Sequence, residues 1–146
     1  MKHLMAGLAG LLLAAPVAMA QDADGDPAAG ENDFKQCRTC HAITDADGND
    51  IVKGGKVGPN LYGVVGRQAG TYEDFRYSDF MIAAGEAGLS WNVEDFTVYV
   101  QDPTAFLRDY LDDPKARGKM AFKLMKEEQA ADIWAYLVSV GPGGES

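Results

Sequence analysis

A short run of residues between positions 37 and 41 carries the most specific chemistry in this chain. It consists of Cys37, Cys40 and His41, with Arg38 and Thr39 between the two cysteines. Cysteines at this spacing can add both thiols to the two vinyl groups of a haem, and the adjacent imidazole can bind the iron. The motif therefore predicts one haem c, bound covalently through Cys37 and Cys40, with His41 as its first axial ligand.

Three other uses of the same residue types fit the sequence less well. A thioredoxin-like redox pair requires a βαβ setting, and no such pattern surrounds the motif. A structural zinc site requires four protein ligands, but the chain has two Cys and two His, and His3 lies in a leader segment. A simple disulfide is common in exported proteins, but it does not account for the adjacent His41.

The second axial ligand decides whether the iron is open to small molecules or carries electrons only. Without His3, a second histidine is excluded, and the remaining soft ligands are Met81, Met120 and Met125. Met81 falls inside a predicted helix, where a core role is expected, and Met125 borders the last helix. Position therefore favours Met120, which follows the flexible Gly118.

The first twenty residues differ from the rest of the chain. Lys2 precedes an apolar run that ends near Val17, and residues 18–20 read Ala-Met-Ala, a small-x-small cleavage pattern. The apolar run is too short for a membrane-spanning helix, which needs about 20 residues. We expect a cleaved signal peptide over 1–20, a single domain over 21–146, and a periplasmic location.

The chain is acidic, with a formal net charge of −9 over 146 residues. This charge excludes non-specific nucleic-acid binding as a default. One segment is an exception, because it is basic and contains no acidic residue. This basic patch, a candidate docking surface, consists of Lys115, Arg117, Lys119, Lys123 and Lys126.

Capping signals and apolar spacing predict helices separated by long loops. The predicted helices cover 27–40, 79–85, 93–101 and 104–111, followed by an amphipathic helix from about Glu127 to Val138. The predicted N-terminal caps of the first four are Asp26, Ser78, Asn92 and Asp102. Residues 44–70 are rich in Gly, Asp, Asn and Pro, and no stretch alternates long enough to predict a strand. The predicted class is all-α, a single domain of short helices and long loops that a buried macrocycle would complete.

Taken together, the motifs resemble those of class I c-type cytochromes, in particular the long-loop bacterial cytochrome c2 and its respiratory relatives. The resemblance covers residues 21–146 and rests on the order and spacing of seven segments. They are 30–34, 37–41, 58–63, 75–77, 89–91, 119–122 and 134–137. Relative to the shorter mitochondrial pattern, the chain has extra residues between His41 and Pro59 and between Pro103 and Met120, which leaves the exact docking surface open.

The resemblance implies roles for further residues. It makes Met120 the distal iron ligand, and it makes the Pro59 carbonyl the acceptor for the non-ligating nitrogen of His41. Arg67, Tyr77 and Trp91 match positions that neutralise or hydrogen-bond the haem propionates, and Tyr99 matches the residue near the methionine sulfur. Gly30, Phe34 and Tyr136 match the contact between the first and last helices.

The implied function is one-electron transfer without any enzymatic activity, by a monomer in the periplasm. The implied electron donor is a cytochrome bc1-type complex, and the acceptor is a photosynthetic reaction centre, a terminal oxidase or a reductase. The competing hypothesis is a haem enzyme or gas sensor, which requires an open or labile distal site. Carbon monoxide binding to the reduced protein distinguishes the two.

Overall fold

The computed structural model describes residues 24–144, so the predicted signal peptide lies outside the described residues. The helices are α1 (Pro27–Asp33), α2 (Asp79–Glu86), α3 (Val93–Gln101), α4 (Pro103–Leu111) and α5 (Glu127–Val140). A 3-10 turn (Phe34–Gln36) follows α1, and two short strands, β1 (Ile43–Thr44) and β2 (Asp50–Val52), pair antiparallel. In this range, no helix has the length and apolar character needed to cross a membrane.

The helices begin at the predicted caps. The side chains of Asp26, Ser78, Asn92 and Asp102 each accept a hydrogen bond from a backbone N–H in the first turn of their helix. These bonds satisfy donors that have no partner inside the helix. Glu127 and Glu128 stand in the first turn of α5, where a negative charge interacts favourably with the helix dipole.

Two expectations were wrong in detail. The first helix does not continue to Cys40, because α1 ends at Asp33. A 3-10 turn follows, and the backbone N–H of Cys37 donates to the Phe34 carbonyl at 2.8 Å. Such i→i+3 bonds commonly finish a helix. The β1–β2 hairpin was also not predicted, because strands of two and three residues are too short to show alternation.

The hairpin turn is closed by one carboxylate. Asp45 accepts from the backbone N–H groups of Asp47 (3.0 Å) and Asn49 (2.8 Å) and from the Asn49 side chain (3.1 Å). These bonds from Asn49 lower the pKa of Asp45. The side-chain bonds of this Asx-type turn add to a backbone bond, from Asp45 N–H to the Asn49 carbonyl at 2.9 Å.

The crossing of α1 and α5 forms the largest helix–helix contact. The Phe34 and Tyr136 rings lie 5.9 Å apart, and Phe34 is 1% exposed. Gly30 makes the close approach possible, because a Cβ at this position would overlap the Asp132 carbonyl oxygen. The contact expected between the first and last helices is therefore present.

Replacing Gly30 by alanine should destabilise the protein by about 1–3 kcal/mol, since the added methyl forces the two helices apart. Chemical denaturation followed by far-UV circular dichroism measures the change. Glu31→Ala, an exposed substitution in the same helix, serves as the control and should stay within about 0.5 kcal/mol of the parent. Equal stability of Gly30→Ala and Glu31→Ala would contradict the close packing.

Candidate haem-binding site

The cysteine motif forms a single turn after α1. The backbone N–H groups of Cys40 and His41 both donate to the Cys37 carbonyl, at 3.1 and 2.9 Å. Both cysteines are free and half-buried. Burial, with smaller contributions from Asp33 and Cys40, raises the pKa of the Cys37 thiol to about 11. A thioredoxin-like cysteine has a lowered pKa, so the environment argues against a dithiol redox centre.

His41 is oriented by a backbone carbonyl. Its Nδ1 lies 2.7 Å from the Pro59 oxygen, and because a carbonyl can only accept, Nδ1 carries the proton. Burial lowers the pKa of His41, although the Pro59 bond acts in the opposite direction. The imidazole is therefore neutral at neutral pH, with Nε2 as the nitrogen that can bind a metal.

Residues 54–61 pack directly on the motif. Gly58 N–H donates to the Cys40 carbonyl at 2.8 Å, and Leu61 N–H donates to the Ala42 carbonyl at 3.0 Å. A Cβ at Gly58 would overlap the His41 ring, at 2.7 Å from Nδ1 and 2.8 Å from Nε2. Glycine thus allows the backbone to lie flat against the imidazole.

Arg67 is half-buried, and its hydrogen bonds within residues 24–144 are to carbonyl groups. Its guanidinium donates to the carbonyls of Asn60 (2.9 Å) and Tyr62 (3.4 Å) and lies 5.2 Å from the Tyr72 ring centroid. Burial lowers the pKa of Arg67. Within residues 24–144, no carboxylate pairs with it. A partly desolvated cation without a carboxylate partner fits the propionate of a haem.

Tyr77, Trp91 and Tyr99 complete one group with Arg67. The backbone N–H of Trp91 donates to the Arg67 carbonyl at 2.9 Å, and the Trp91 and Tyr99 rings lie 4.9 Å apart. Burial raises the pKa of Tyr99, with Tyr77 adding to the shift, and burial also raises that of Tyr77. The two phenols are therefore neutral hydrogen-bond donors at neutral pH.

Phe106 belongs to the same aromatic group and was not predicted. Its ring stacks 6.3 Å from Trp91 and lies 5.7 Å from Tyr99. It is 7% exposed, on the buried side of α4. The apolar face of the predicted helix carried the only signal for it, and that signal does not separate a site residue from ordinary core.

The three methionines occupy different environments. Met81 is 7% exposed inside α2, and Met125 is 88% exposed. Met120 is half-buried and packs against the core. A soft ligand must be accessible to a cofactor yet shielded from water, and this environment fits Met120 better than either alternative.

Bonds on both sides hold the segment that carries Met120. Gly118 N–H donates to Thr104 Oγ1 at 3.1 Å, and Leu124 N–H donates to the Val100 carbonyl at 2.8 Å. Lys119 Nζ donates to the Arg76 carbonyl and lies 5.2 Å from the Phe75 ring centroid. Residues 59–62 bond to both His41 and Arg67. Residues 75 and 76, which precede Tyr77, contact Lys119 beside Met120.

Part of the basic patch is occupied by internal contacts. Lys123 pairs with Asp102 at 2.7 Å, which neutralises its charge locally, and Lys119 is held by Arg76 and Phe75. The charges of Lys115, Arg117 and Lys126 are not paired within residues 24–144. These three are therefore the better candidates for attracting an acidic partner.

The side chains of the site fit a haem better than a metal ion that is held by protein side chains alone. In the described part of the chain, His, Cys, Asp and Glu side chains nowhere gather in a group of three or more able to hold a metal ion. Two free thiols, one oriented neutral imidazole, an unpaired arginine and a glycine flush with the imidazole match a covalent haem.

Comparison with known proteins gives a consistent answer. The chain is 55% identical to cytochrome c2 of Rhodobacter capsulatus over 135 residues, covering 92% of this chain and 93% of that protein. It is 59% identical to cytochrome c-551 of Roseobacter denitrificans over 118 residues, covering 81% and 83% of the two chains. The chain belongs to the cytochrome c2 family. No family model matches it.

The fold comparison agrees. The crystal structure of cytochrome c2 from Rhodobacter sphaeroides superposes with a TM-score of 0.79 at 56% identity, covering 80% of this chain and 97% of that one. The class I cytochrome c fold predicted from the sequence is confirmed. Cytochromes c2 are electron carriers rather than enzymes and carry one covalent haem c, for which Cys37, Cys40 and His41 supply the matching motif.

Proposed function

We propose that this cytochrome c2 is a soluble periplasmic one-electron carrier whose iron is bound by His41 and Met120. The observation that carries the proposal is the bond between His41 Nδ1 and the Pro59 carbonyl, because it leaves Nε2 available to bind the iron. Met120 is the half-buried methionine of the three, which supports it as the sixth ligand. Haem iron with these ligands supplies reversible one-electron chemistry.

The side chains of the site have distinct tasks in this proposal. Pro59 and Gly58 fix the plane of the His41 ring, which keeps the ligand oriented in both oxidation states. Arg67, Tyr77 and Trp91 stabilise the propionates, whose charge is otherwise costly to bury. The neutral Tyr99 and the aromatic group around it exclude water from the region near Met120, which favours the less charged reduced state.

The ligand assignment predicts a closed iron site in the parent protein. The reduced protein should not bind carbon monoxide at neutral pH, and its midpoint potential should be positive, since a thioether ligand and burial both favour ferrous iron. Visible spectra under carbon monoxide and a redox titration measure the two quantities. Rapid carbon monoxide binding would favour the haem enzyme or gas sensor instead, and a strongly negative potential would exclude Met120 as a ligand.

The proposed partners are a cytochrome bc1-type complex as donor and a reaction centre or terminal oxidase as acceptor. Export by the 1–20 signal peptide would bring the carrier to the compartment where it meets both, and it is proposed to act as a monomer. Turnover of the reduced protein by membranes of the source organism, prepared from each growth mode, identifies the acceptor. Absence of turnover with every membrane preparation would oppose the shuttle role.

Electrostatic attraction is proposed to guide docking. Replacing Lys115, Arg117 and Lys126 together by glutamine should slow association with the acceptor membranes by roughly tenfold at low salt, and the difference should vanish at high salt. Stopped-flow oxidation of the reduced protein measures the rate. The matched comparison replaces Lys35, Lys53 and Lys56, three exposed lysines outside the basic patch, by glutamine. It loses the same net charge and should slow association less than the patch variant does. Salt-independent rates in the parent would rule out steering.

A further inference from the structure

A cleft of about 260 Å³ lies on the surface near the haem motif and has no role in the function described above. Its walls come from the end of α1 and the 3-10 turn, from Arg38, from β2 and from α5. The lining includes the buried rings of Phe34 and Tyr136 and the side chains of Ile51 and Val52. Ile51 is 43% exposed, so an apolar surface is open to an occupant.

The charges around the cleft are unusual for this chain. Lys35, Arg38 and Lys53 line it together with one acidic residue, Glu31, although the whole chain has a formal net charge of −9. Glu31 precedes Lys35 by four residues, yet the two do not pair, and Lys35 Nζ instead donates to the neutral Asn32 side chain at 2.8 Å. In the range 24–144, neither Arg38 nor Lys53 forms an ion pair.

Backbone hydrogen bonds connect the segments that carry these cations. Gly55 N–H donates to the Arg38 carbonyl at 2.9 Å, which anchors the segment after Lys53 to the motif. Arg38 N–H donates in turn to the Phe34 carbonyl at 3.1 Å, beside Lys35. The three cationic side chains therefore extend from backbone segments that are bonded to one another. Such an arrangement concentrates positive potential in a concave site.

We propose that this cleft binds a small phosphate monoester. A planar guanidinium matches two phosphate oxygens at once, and the two ammonium groups add compact charges. The volume is several times the roughly 30 Å³ share of one water molecule in the liquid, so the site has room for a small organic group beside the phosphate. That group would lie against Ile51.

Titration of the reduced, haem-loaded protein tests the site. The probes are phenyl phosphate and inorganic phosphate, each at constant ionic strength with chloride as the reference, followed by amide NMR shifts. Saturable shifts are expected at residues 35, 38 and 53, and phenyl phosphate should bind more tightly than inorganic phosphate. Lys35→Gln and Lys53→Gln should each weaken binding by about two- to fivefold.

The matched control is Lys56→Gln, an exposed lysine that does not line the cleft, which should leave binding unchanged. Amide NMR shifts that depend on ionic strength alone, and not on which anion is added, would overturn the proposal. So would equal weakening by Lys56→Gln and Lys53→Gln, because a diffuse attraction to any lysine would then explain the data. All three substituted side chains are exposed, so loss of folding does not confuse the comparison.

Discussion

Replacing Met120 by alanine should open the iron to carbon monoxide and lower the midpoint potential of the haem. The lost thioether favours the ferrous state, so the potential should fall by on the order of tenths of a volt, within the roughly 0.8 V that axial ligands span. The reduced variant should bind carbon monoxide readily at neutral pH. Redox titration and visible spectroscopy measure both effects on the same sample.

The chain contains its own control for this experiment. Met125→Ala removes an equally soft side chain from the same segment, but Met125 is 88% exposed. This variant should keep the parent potential and should not bind carbon monoxide. If Met125→Ala opened the iron and Met120→Ala did not, the assignment of the sixth ligand would be wrong.

Replacing Gly58 by alanine should lower the free energy of unfolding and weaken the bond between His41 and the haem iron. The new methyl overlaps the imidazole, so the ring must move away from the Pro59 carbonyl that orients it. Overpacking of this kind costs about 1–3 kcal/mol. Denaturant unfolding measures the loss of stability.

Acid titration of the same variant isolates the effect on the ligand. A proton competes with iron for the His41 nitrogen, so a weaker iron bond lets the proton displace the metal at higher pH. The acid transition should shift upward by about one pH unit for each 1.4 kcal/mol of lost ligation. The expected sign is therefore a gain of acid sensitivity.

Gly143→Ala is the matched substitution, because a Cβ at Gly143 meets no atom within 4 Å. It should change stability by less than about 0.5 kcal/mol and leave the acid transition in place. A Gly58→Ala protein that matches Gly143→Ala in both measurements would show that the close contact with His41 does not matter.

Local signals in the sequence predicted most of the fold. Asp26, Ser78, Asn92 and Asp102 cap helices as expected, because capping depends on a side chain and a backbone group two or three residues away. The end of α1 and the β1–β2 hairpin were not predicted. Both depend on a few hydrogen bonds within short segments, where hydrophobic periodicity has no room to appear.

The site was predictable to a different extent for each residue. The spacing of Cys37, Cys40 and His41 defines haem attachment locally. Arg67 and Trp91 are 24 positions apart in sequence and meet only because their backbones bond in the folded chain, so their roles depended on family resemblance. The internal pairing of Lys123 with Asp102 was invisible to charge counting, which treats every lysine as free.

The β1–β2 hairpin allows the length of the chain to change without a change in the geometry of the site. Ile43 pairs with Val52 at its base, while the Asp45 carboxylate closes the tip. His41, the proposed haem ligand, lies before this base, and residues 58–61, which pack on it, lie after the base. Because the pairing fixes where the chain leaves and returns, residues can be gained or lost at the tip during evolution at low entropic cost. The same tip is a natural position for inserting a reporter peptide.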